Sequence, residues 1–250
     1  MTNGFLKGKT ALVTGATRNL GRSFAEMLAQ HGANVTVHYH GEKSRSEAEQ
    51  TASLIKGAGG EAELVGADLS DTQQIRDMFD RTMTRFGRLD VLLNTVGMII
   101  KKPFDEITEA DYDTIFAVNA KSVFFTMQEA AKKMSDGGRI VNVGTSILGM
   151  STGSYSIYAG SKAPIEHFTR ALAKEVSNRE IAVNTIAPGA LDTSFFYPAE
   201  SPESIQMIKQ WTGGLGHVDD VVPLVEFLVS PGAKWLTGQT IFVNGGVCAR

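Results

Sequence analysis

Short apolar runs rich in β-branched residues alternate along the chain with longer segments whose apolar residues recur at helical spacing. This alternation predicts an α/β fold: a doubly wound sheet of seven parallel strands with helices on both faces. The predicted strands are Thr10–Thr14, Asn34–Tyr39, Ala62–Gly66, Val91–Leu93, Arg139–Val143, Ile181–Ile186 and Thr240–Val243. No linker, repeat or shift of composition divides the sequence, so we expect a single domain over residues 1–250.

Helical patterns fill the intervals between the predicted strands. They run from about Leu20 to His31, from Ser44 to Lys56, from Asp71 to Phe86 and from Glu109 to Met134, and a further helix carries residues 158–162. The second helix opens with Ser44-Arg45-Ser46-Glu47, which has the spacing of a capping box. We therefore expect Ser44 to cap it.

The alternation breaks between the sixth strand and the last helix, over residues 190–216. This segment carries Phe195, Phe196, Tyr197 and Trp211 in no clean order. One interpretation is a surface excursion with a short helix. We favour a substrate lid over the carboxyl edge of the sheet, where α/β proteins bind ligands, because clustered aromatic side chains need something to cover.

The composition narrows the class of protein. The formal net charge is −3, which indicates neither a nucleic-acid partner nor an anionic membrane surface. No apolar stretch is long enough to span a bilayer, and residues 1–8 lack the apolar run of a signal peptide. With Cys248 as the single cysteine, we expect a cytoplasmic protein.

The histidines give no sign of a metal centre. His38, His40 and His167 have no carboxylates or cysteines at ligand spacing. We interpret them as surface or core histidines and predict no catalytic metal.

Tyr158 and Lys162 stand four residues apart in a predicted helix, so both side chains project from one face. A cation within a few ångströms of a phenol favours the phenolate and lowers its pKa from about 10. Such a tyrosine is a general acid or base suited to the interconversion of a carbonyl and an alcohol. A solvated surface pair has the same spacing, so the chemistry depends on the rest of the chain.

A glycine-containing loop, Thr14-Gly15-Ala16-Thr17-Arg18-Asn19-Leu20-Gly21, follows the first strand and opens a helix. Glycines permit a tight turn and a close approach to phosphate, and the helix N-terminus favours an anion. The strand before the loop and the helix after it strengthen the prediction of a dinucleotide site.

The loop and several later motifs resemble the classical short-chain dehydrogenase/reductase family, whose loop reads Thr-Gly-x-x-x-Gly-x-Gly. The sequence departs from that pattern at Asn19, which replaces the middle glycine; asparagine tolerates a left-handed backbone, so we expect the turn to persist. The other matching residues are Asp68, Asn94-Thr95-Val96-Gly97, Asn119, Tyr158, Lys162 and Pro188-Gly189-Ala190-Leu191-Asp192-Thr193. The resemblance covers nearly the whole chain and implies a single-domain Rossmann fold.

The resemblance also implies a nicotinamide cofactor and a set of residues that bind it. These residues are Gly15, Thr17, Arg18, Asn19, Leu20, Gly21, Tyr39, His40, Asp68, Leu69, Asn94, Gly97, Tyr158, Lys162, Pro188, Gly189, Leu191 and Thr193. In the family, the residue at Asp68 contacts adenine and the residue at Thr193 contacts the nicotinamide carboxamide.

The choice between the two nicotinamide cofactors depends on the end of the second strand. Users of NAD(H) place a carboxylate there for the ribose 2′-OH. Here Tyr39 and His40 occupy that end, and the first carboxylate is Glu42. Arg18 suits a 2′-phosphate, and the group Lys43–Arg45 could add to it. We expect NADP(H) to be preferred, with NAD(H) possible.

The implied reaction is hydride transfer between the nicotinamide and a carbonyl carbon, with Tyr158 as proton donor. In the family, the lysine at the position of Lys162 lowers the tyrosine pKa. The asparagine at the position of Asn119 holds a water that relays protons. The family also has a catalytic serine, for which the sequence offers two candidates. Counting back from Tyr158 selects Thr145, and alignment on the following glycine selects Ser146; either hydroxyl can donate to an oxyanion.

The substrate is the least determined feature. The chain resembles the 3-oxoacyl-(acyl-carrier-protein) reductase branch, which implies a 3-oxoacyl thioester or a similar apolar carbonyl. The alternatives are pteridine reductase-like activity, sugar or alcohol dehydrogenase activity, and a regulatory protein that senses NADP(H) without turnover. The resemblance also implies a homotetramer, and Phe124, Phe125 and Phe168 on the relevant helices would suit an interface.

Overall fold

A computed structural model describes residues 4–249 and shows seven parallel strands in one sheet, in the order β3-β2-β1-β4-β5-β6-β7. The strands are β1 (Thr10–Thr14), β2 (Asn34–Tyr39), β3 (Ala62–Gly66), β4 (Val91–Asn94), β5 (Arg139–Val143), β6 (Ala182–Pro188) and β7 (Thr240–Val243). The predicted fold is confirmed. Residues 1–3 and 250 of the predicted domain lie outside the described range.

The strand order reverses direction between β1 and β4. Chain segments leaving these two strands diverge, which opens a crevice at the carboxyl edge of the sheet. The loops that carry the glycine motif and Gly97 both start at this crevice. The fold thus places the predicted site residues from distant parts of the sequence along one edge.

Both faces of the sheet are covered by helices, and the strands alternate between the two cores. On β1, Ala11 and Val13 pack into one core, while Leu12 packs into the other. Such continuous burial explains why the central strands are apolar at nearly every position. The helices are α1 (Asn19–Gln30), α2 (Arg45–Gly57), α3 (Thr72–Phe86), α4 (Glu109–Phe116), α5 (Ser122–Lys133), α6 (Ser156–Glu175), α7 (Pro202–Thr212) and α8 (Val218–Val229).

One prediction about the helices is wrong. Ser44 makes no side-chain cap, because it ends a 3-10 turn over Glu42–Ser44 and has helical backbone angles itself. The long helical segment predicted from Glu109 to Met134 is confirmed over Glu109–Lys133, where α4 and α5 are joined without a break by a π-helical turn over Ala117–Lys121. That turn contains Asn119, and such turns often occur at functional positions.

The segment over residues 190–216 crosses the carboxyl edge of the sheet. It contains a 3-10 turn over Tyr197–Ala199 and the helix α7. Leu191 and Gly216 form a parallel bridge, and backbone hydrogen bonds between the same two stretches close the base of the segment. We call residues 190–216 the lid below; its function in covering a substrate stays a prediction.

Candidate active site

A cavity of about 750 Å³ runs along the crevice at the carboxyl edge of the sheet. Its lining includes residues from the glycine loop, the ends of β2 and β3, the loop after β4, the end of β5, α6 and the lid. Of the predicted site residues, the following line it: Gly15, Thr17, Arg18, Asn19, Leu20, Gly21, Tyr39, His40, Asp68, Leu69, Gly97, Thr145, Ser146, Tyr158, Lys162, Pro188, Gly189, Leu191 and Thr193.

The glycine loop wraps tightly around the start of α1. A Cβ on Gly21 would lie 2.2 Å from the carbonyl oxygen of Gly15, so only glycine fits there. Asn19 has φ 48°, which confirms the expected left-handed turn. The N-cap of α1, Arg18, makes no side-chain cap, and no acidic residue lies in the first turn. The backbone N–H groups in the first turn of α1 are therefore free of side-chain caps and suited to bind an anion.

The side chain of His38, on β2, forms hydrogen bonds with the glycine loop and with the segment after β3. Its Nδ1 accepts from the backbone N–H of Gly15 at 2.9 Å, and its Nε2 donates to the carbonyl of Ala67 at 3.0 Å. Burial lowers the pKa of His38 to about 4, so the ring is neutral. Sequence reasoning identified only a surface or core histidine here; no spacing in the sequence signals the contact with Gly15.

The charged groups near the ends of β2 and β3 are fewer than expected. Of the group Lys43–Arg45, the cavity lining includes Ser44 alone. Arg45 instead contacts Glu42 and Glu49 on the helix surface. Asp68 lines the cavity, and the backbone N–H of Ser70 lowers its pKa. Arg18 is thus the exposed cation that the loop presents to this end.

Tyr158 and Lys162 lie together in the cavity wall, and both are buried. Burial raises the pKa of Tyr158 to about 12, while burial lowers the pKa of Lys162 to about 8. The net direction for Tyr158 is therefore upward, because the loss of solvent around the phenol outweighs the opposing hydrogen bond from Thr145; the stabilisation of the phenolate by Lys162 stays a prediction. The Lys162 ammonium donates to the carbonyl of Val143 at 3.0 Å.

The two candidate hydroxyls differ in what they contact. Thr145 forms a hydrogen bond with Tyr158 that acts to lower the tyrosine pKa, and its hydroxyl also accepts from the backbone of Ile147 at 3.3 Å. The backbone carbonyl of Ser146 accepts from the Cys248 thiol at 3.1 Å. The geometry therefore favours Thr145 as the neighbour of the phenol.

Asn119 is fully buried in the π-helical turn. Its amide exchanges two hydrogen bonds with the backbone of Met98, at 2.8 and 2.9 Å, and donates to the hydroxyl of Ser161 at 2.9 Å. A Cβ on Gly97 would lie 3.0 Å from Lys162 Nζ and 3.4 Å from Asn119 Oδ1. Asn119 thus fixes the loop after β4 beside the lysine, although it does not itself line the cavity.

Asn94 is not among the residues that line the cavity, and its role in cofactor binding stays a prediction. Its amide donates to Asn142 at 2.8 Å, and its oxygen accepts from the hydroxyl of Thr126 at 2.9 Å. These buried bonds turn the side chain into the helix-covered face of the sheet. Nothing in the sequence distinguishes a structural asparagine at a strand end from one that faces a ligand.

The lid covers the other end of the cavity with a largely apolar surface. Its contribution to the lining includes Phe195, Phe196, Met207, Ile208 and Trp211. Lys101, in the loop after β4, also lines the cavity and forms an ion pair with Glu200 of the lid at 2.5 Å. These two residues lie 99 positions apart, and no sequence motif predicts the pair.

The described residues hold no cluster of three or more histidine, cysteine or acidic side chains arranged for a metal ion. In the same part of the chain, no helix is both long and apolar enough to traverse a lipid bilayer.

A nicotinamide dinucleotide fits the cavity. The uncapped N-terminus of α1 suits its pyrophosphate, and the close-packed Gly15 and Gly21 allow the backbone to approach it. Thr193, at the base of the lid, lines the same cavity as Tyr158 and Lys162. The phosphate end and the proton-transfer end thus belong to one continuous space.

Comparisons with known proteins place the chain in a family. Residues 15–248 match the family model described as enoyl-(acyl carrier protein) reductase. A short-chain type dehydrogenase/reductase from Picea abies is 36% identical, over 96% of this chain and 93% of its own length. Among solved structures, a protein from Burkholderia cenocepacia described as a dehydrogenase, with bound NADP, is similar with TM-score 0.96 and 44% identity, over 100% of this chain and 97% of its own.

A second solved structure, of an angucycline C-6 ketoreductase with bound NADP, has a TM-score of 0.90 and 34% identity, covering 98% of each chain. The fold, the glycine loop and the buried Tyr158/Lys162 pair agree with these matches. The chain therefore belongs to the short-chain dehydrogenase/reductase family of oxidoreductases.

Proposed function

We propose that the chain is an NADP(H)-dependent reductase that converts an apolar ketone to a secondary alcohol, with Tyr158 as the proton donor. The observation that carries this proposal is the burial of Tyr158, Lys162 and Thr145 in the cavity that the glycine loop opens. A site built for a dinucleotide thereby also holds an acid beside a hydroxyl and a cation.

A nicotinamide cofactor, which the glycine loop and Thr193 would hold, would supply the hydride for the carbonyl carbon. Tyr158 gives its phenolic proton to the carbonyl oxygen, which completes the alcohol and leaves a phenolate. Because the pKa of Tyr158 is raised to about 12, the phenol keeps its proton at neutral pH until the oxygen develops charge. Thr145 holds the phenol and offers a second hydrogen bond to that oxygen.

Lys162 acts on the phenolate that Tyr158 becomes. Since its pKa is lowered to about 8, the side chain is largely charged at neutral pH and can still exchange a proton. An adjacent ammonium stabilises the phenolate as it forms, and a proton from solvent then restores the phenol. We infer that Asn119 supports this step by fixing Met98 and Gly97 against the lysine.

The preference for NADP(H) is supported by the surroundings of the second strand. Tyr39 and His40 line the cavity where a carboxylate would accept from the ribose of NAD(H). Arg18 is exposed in the loop opposite, where its guanidinium suits a 2′-phosphate. Two similar structures contain NADP, which agrees with this preference.

The apolar lid supports a carbonyl substrate of low polarity. A 3-oxoacyl thioester and an aryl ketone both fit that description, and one similar structure is that of an enzyme named as an angucycline C-6 ketoreductase. A regulatory protein that binds NADP(H) without turnover would need neither a buried acid nor its cation. The retained Tyr158/Lys162 pair therefore favours an enzyme.

The test measures the oxidation of NADPH from its loss of absorbance. Four compounds are offered as substrates: an acetoacetyl thioester, a pteridine, an aryl ketone and a crotonyl thioester. We expect oxidation with the ketone substrates, slower oxidation with NADH, and a loss of about 10²-fold or more in Tyr158→Phe with NADPH affinity retained. Tight binding of NADPH without oxidation by any compound would favour the sensor, and turnover of the crotonyl thioester alone would indicate reduction of a carbon–carbon double bond.

We also propose that the chain assembles as a homotetramer through α5 and α6. Phe124 is partly exposed on α5 and packs edge-to-face against Phe125 and against Phe168 of α6. An aromatic cluster open to solvent on adjoining helices supports burial against a second copy. Light scattering of the purified chain measures the assembly directly.

A further inference from the structure

The ion pair of Lys101 and Glu200 joins the lid to the loop after β4 inside the cavity. The Glu200 side chain is 1% exposed and that of Lys101 is 23% exposed. Removing charged groups from water is unfavourable, and the attraction between them offsets this only with good geometry and further hydrogen bonds. A plain apolar contact would close the same lid without this cost, so the pair calls for a functional explanation.

Only one of the two carboxylate oxygens of Glu200 has a hydrogen-bond partner among the described residues. Its Oε2 contacts Lys101, while Oε1 is covered and has no hydrogen-bond partner among the described residues. Burying a carboxylate oxygen without a hydrogen bond destabilises the folded state. A donor from a bound molecule would remove that penalty.

The chemistry of that donor follows from the charges around it. Lys101 neutralises Glu200 and also lies 5.0 Å from the ring centre of Tyr155, so its charge is shared between a carboxylate and an aromatic face. An anionic group would meet the free carboxylate oxygen and be repelled, and a cationic group would approach the Lys101 ammonium. A neutral hydroxyl avoids both repulsions.

We propose that Lys101 and Glu200 form the polar end of the substrate cavity and select ketones that carry a hydroxyl group remote from the carbonyl, with Glu200 accepting from that hydroxyl. This inference rests on the proposed ketone reductase and names its substrate class. The apolar lid covers the body of such a molecule, Tyr158 meets its carbonyl, and the ion pair meets its hydroxyl.

The experiment compares 1-tetralone with a set of ring-hydroxylated 1-tetralones. Their affinities for the chain saturated with NADP⁺ are measured by calorimetry, where no turnover can occur, and their rates with NADPH are measured separately. We expect at least one hydroxylated ketone to bind about tenfold or more tightly than 1-tetralone, because a hydrogen bond to a charged group contributes about 1.5–3 kcal/mol.

The decisive variant is the double substitution Lys101→Met with Glu200→Leu, which removes the pair without leaving one charge unpaired. We expect the two kinds of ketone to bind it with affinities within about twofold of each other, while 1-tetralone binds as in the parent. Glu200→Gln keeps the shape with less charge and is expected to give an intermediate preference, so it serves if the double variant does not fold.

Lys102→Met is the matched control, because Lys102 is the next residue of the same loop but pairs with Asp111 outside the cavity lining. It should keep the parent preference. Equal binding of all ketones by the parent, or a preference that survives in the double variant, would overturn the inference. If the double variant binds both kinds of ketone more weakly by the same factor, the ion pair holds the lid closed and does not select a hydroxyl group, which would also overturn the inference. Binding preference without oxidation of NADPH would contradict the proposed reductase and leave the polar site standing.

Discussion

His38 accepts a hydrogen bond from the backbone N–H of Gly15 at 2.9 Å, which makes a side chain of β2 the support for the first turn after β1. The backbone carbonyl of His38 also accepts from the N–H of Ala16 at 3.0 Å. Because the ring donates from its other nitrogen to Ala67, one histidine connects the glycine loop with the segment leading to Asp68. The loop is therefore held before any cofactor arrives.

Replacement of His38 by leucine should weaken NADPH binding by about tenfold or more, because the buried N–H of Gly15 loses its acceptor. His38→Asn places an oxygen near the position of Nδ1 and should stay within about threefold of the parent. Titration of NADPH fluorescence measures both. His31→Leu is the control, since this buried histidine pairs with Glu226 and does not line the cavity. Equal loss in all three variants would contradict a specific role for His38.

The same histidine should make the stability of the fold sensitive to acid. Its pKa is lowered from 6.5 to about 4, chiefly by burial, and His40 and Asp68 are the titratable side chains near it. The unfolded chain takes up a proton near pH 6.5 and the folded chain does not, so stability falls as pH drops from 6.5 toward 4. The loss between pH 7.5 and 4.5 should be roughly 2–3 kcal/mol. Urea unfolding at the two values measures it, and His38→Asn should show a smaller difference.

The fall of the reaction rate at alkaline pH should follow the loss of the proton from Lys162. Below its pKa of about 8 the ammonium is charged and stabilises the phenolate of Tyr158, and above that value the charge is lost. We therefore expect kcat/KM for NADPH to be level near pH 7 and to fall by about tenfold per unit well above pH 8. In Lys162→Met the value should be low and should not fall in the same range. An unchanged alkaline fall in that variant would assign the ionisation to another group.

Thr145 should carry the hydroxyl function that the sequence left open between two residues. Its side chain contacts Tyr158, whereas Ser146 accepts a hydrogen bond from Cys248 through its backbone carbonyl. Thr145→Ala should lower kcat by about 10²-fold, and Thr145→Ser should retain most of the rate because it keeps the donor. Ser146→Ala should remain within about threefold of the parent. The reverse ranking in steady-state assays would assign the role to Ser146.

The sequence predicted the sheet because strand and helix periods differ plainly and because buried parallel strands are apolar throughout. It also predicted which loops meet, since carboxyl ends of parallel strands share an edge. It did not predict the buried contacts of Asn94 and His38, because a strand-end side chain faces a ligand or the interior depending on packing partners far along the chain. It also did not predict the burial that raises the pKa of Tyr158, since spacing shows a nearby cation but not the loss of solvent.

Asn19, which replaces the middle glycine of the family loop, makes a side-chain contact that glycine cannot make. Its amide donates to the hydroxyl of Ser194 in the lid at 3.1 Å, which joins the glycine loop to the lid. Asn19→Gly should leave the free energy of unfolding unchanged or slightly raised, because glycine adopts a φ of 48° without strain. It should speed NADPH release by about two- to tenfold, the range expected for one exposed hydrogen bond.

Ser194→Ala is the matched variant, because it removes the same bond from the side of the lid and leaves the loop backbone untouched. Stopped-flow displacement of NADPH gives the release rate of each variant. If the bond acts as a fastening, Asn19→Gly and Ser194→Ala should be similar and their combination no faster than either alone, since the second change has nothing left to remove. Additive effects would mean that the two residues influence release independently, and the contact between them would then carry no share of the closure.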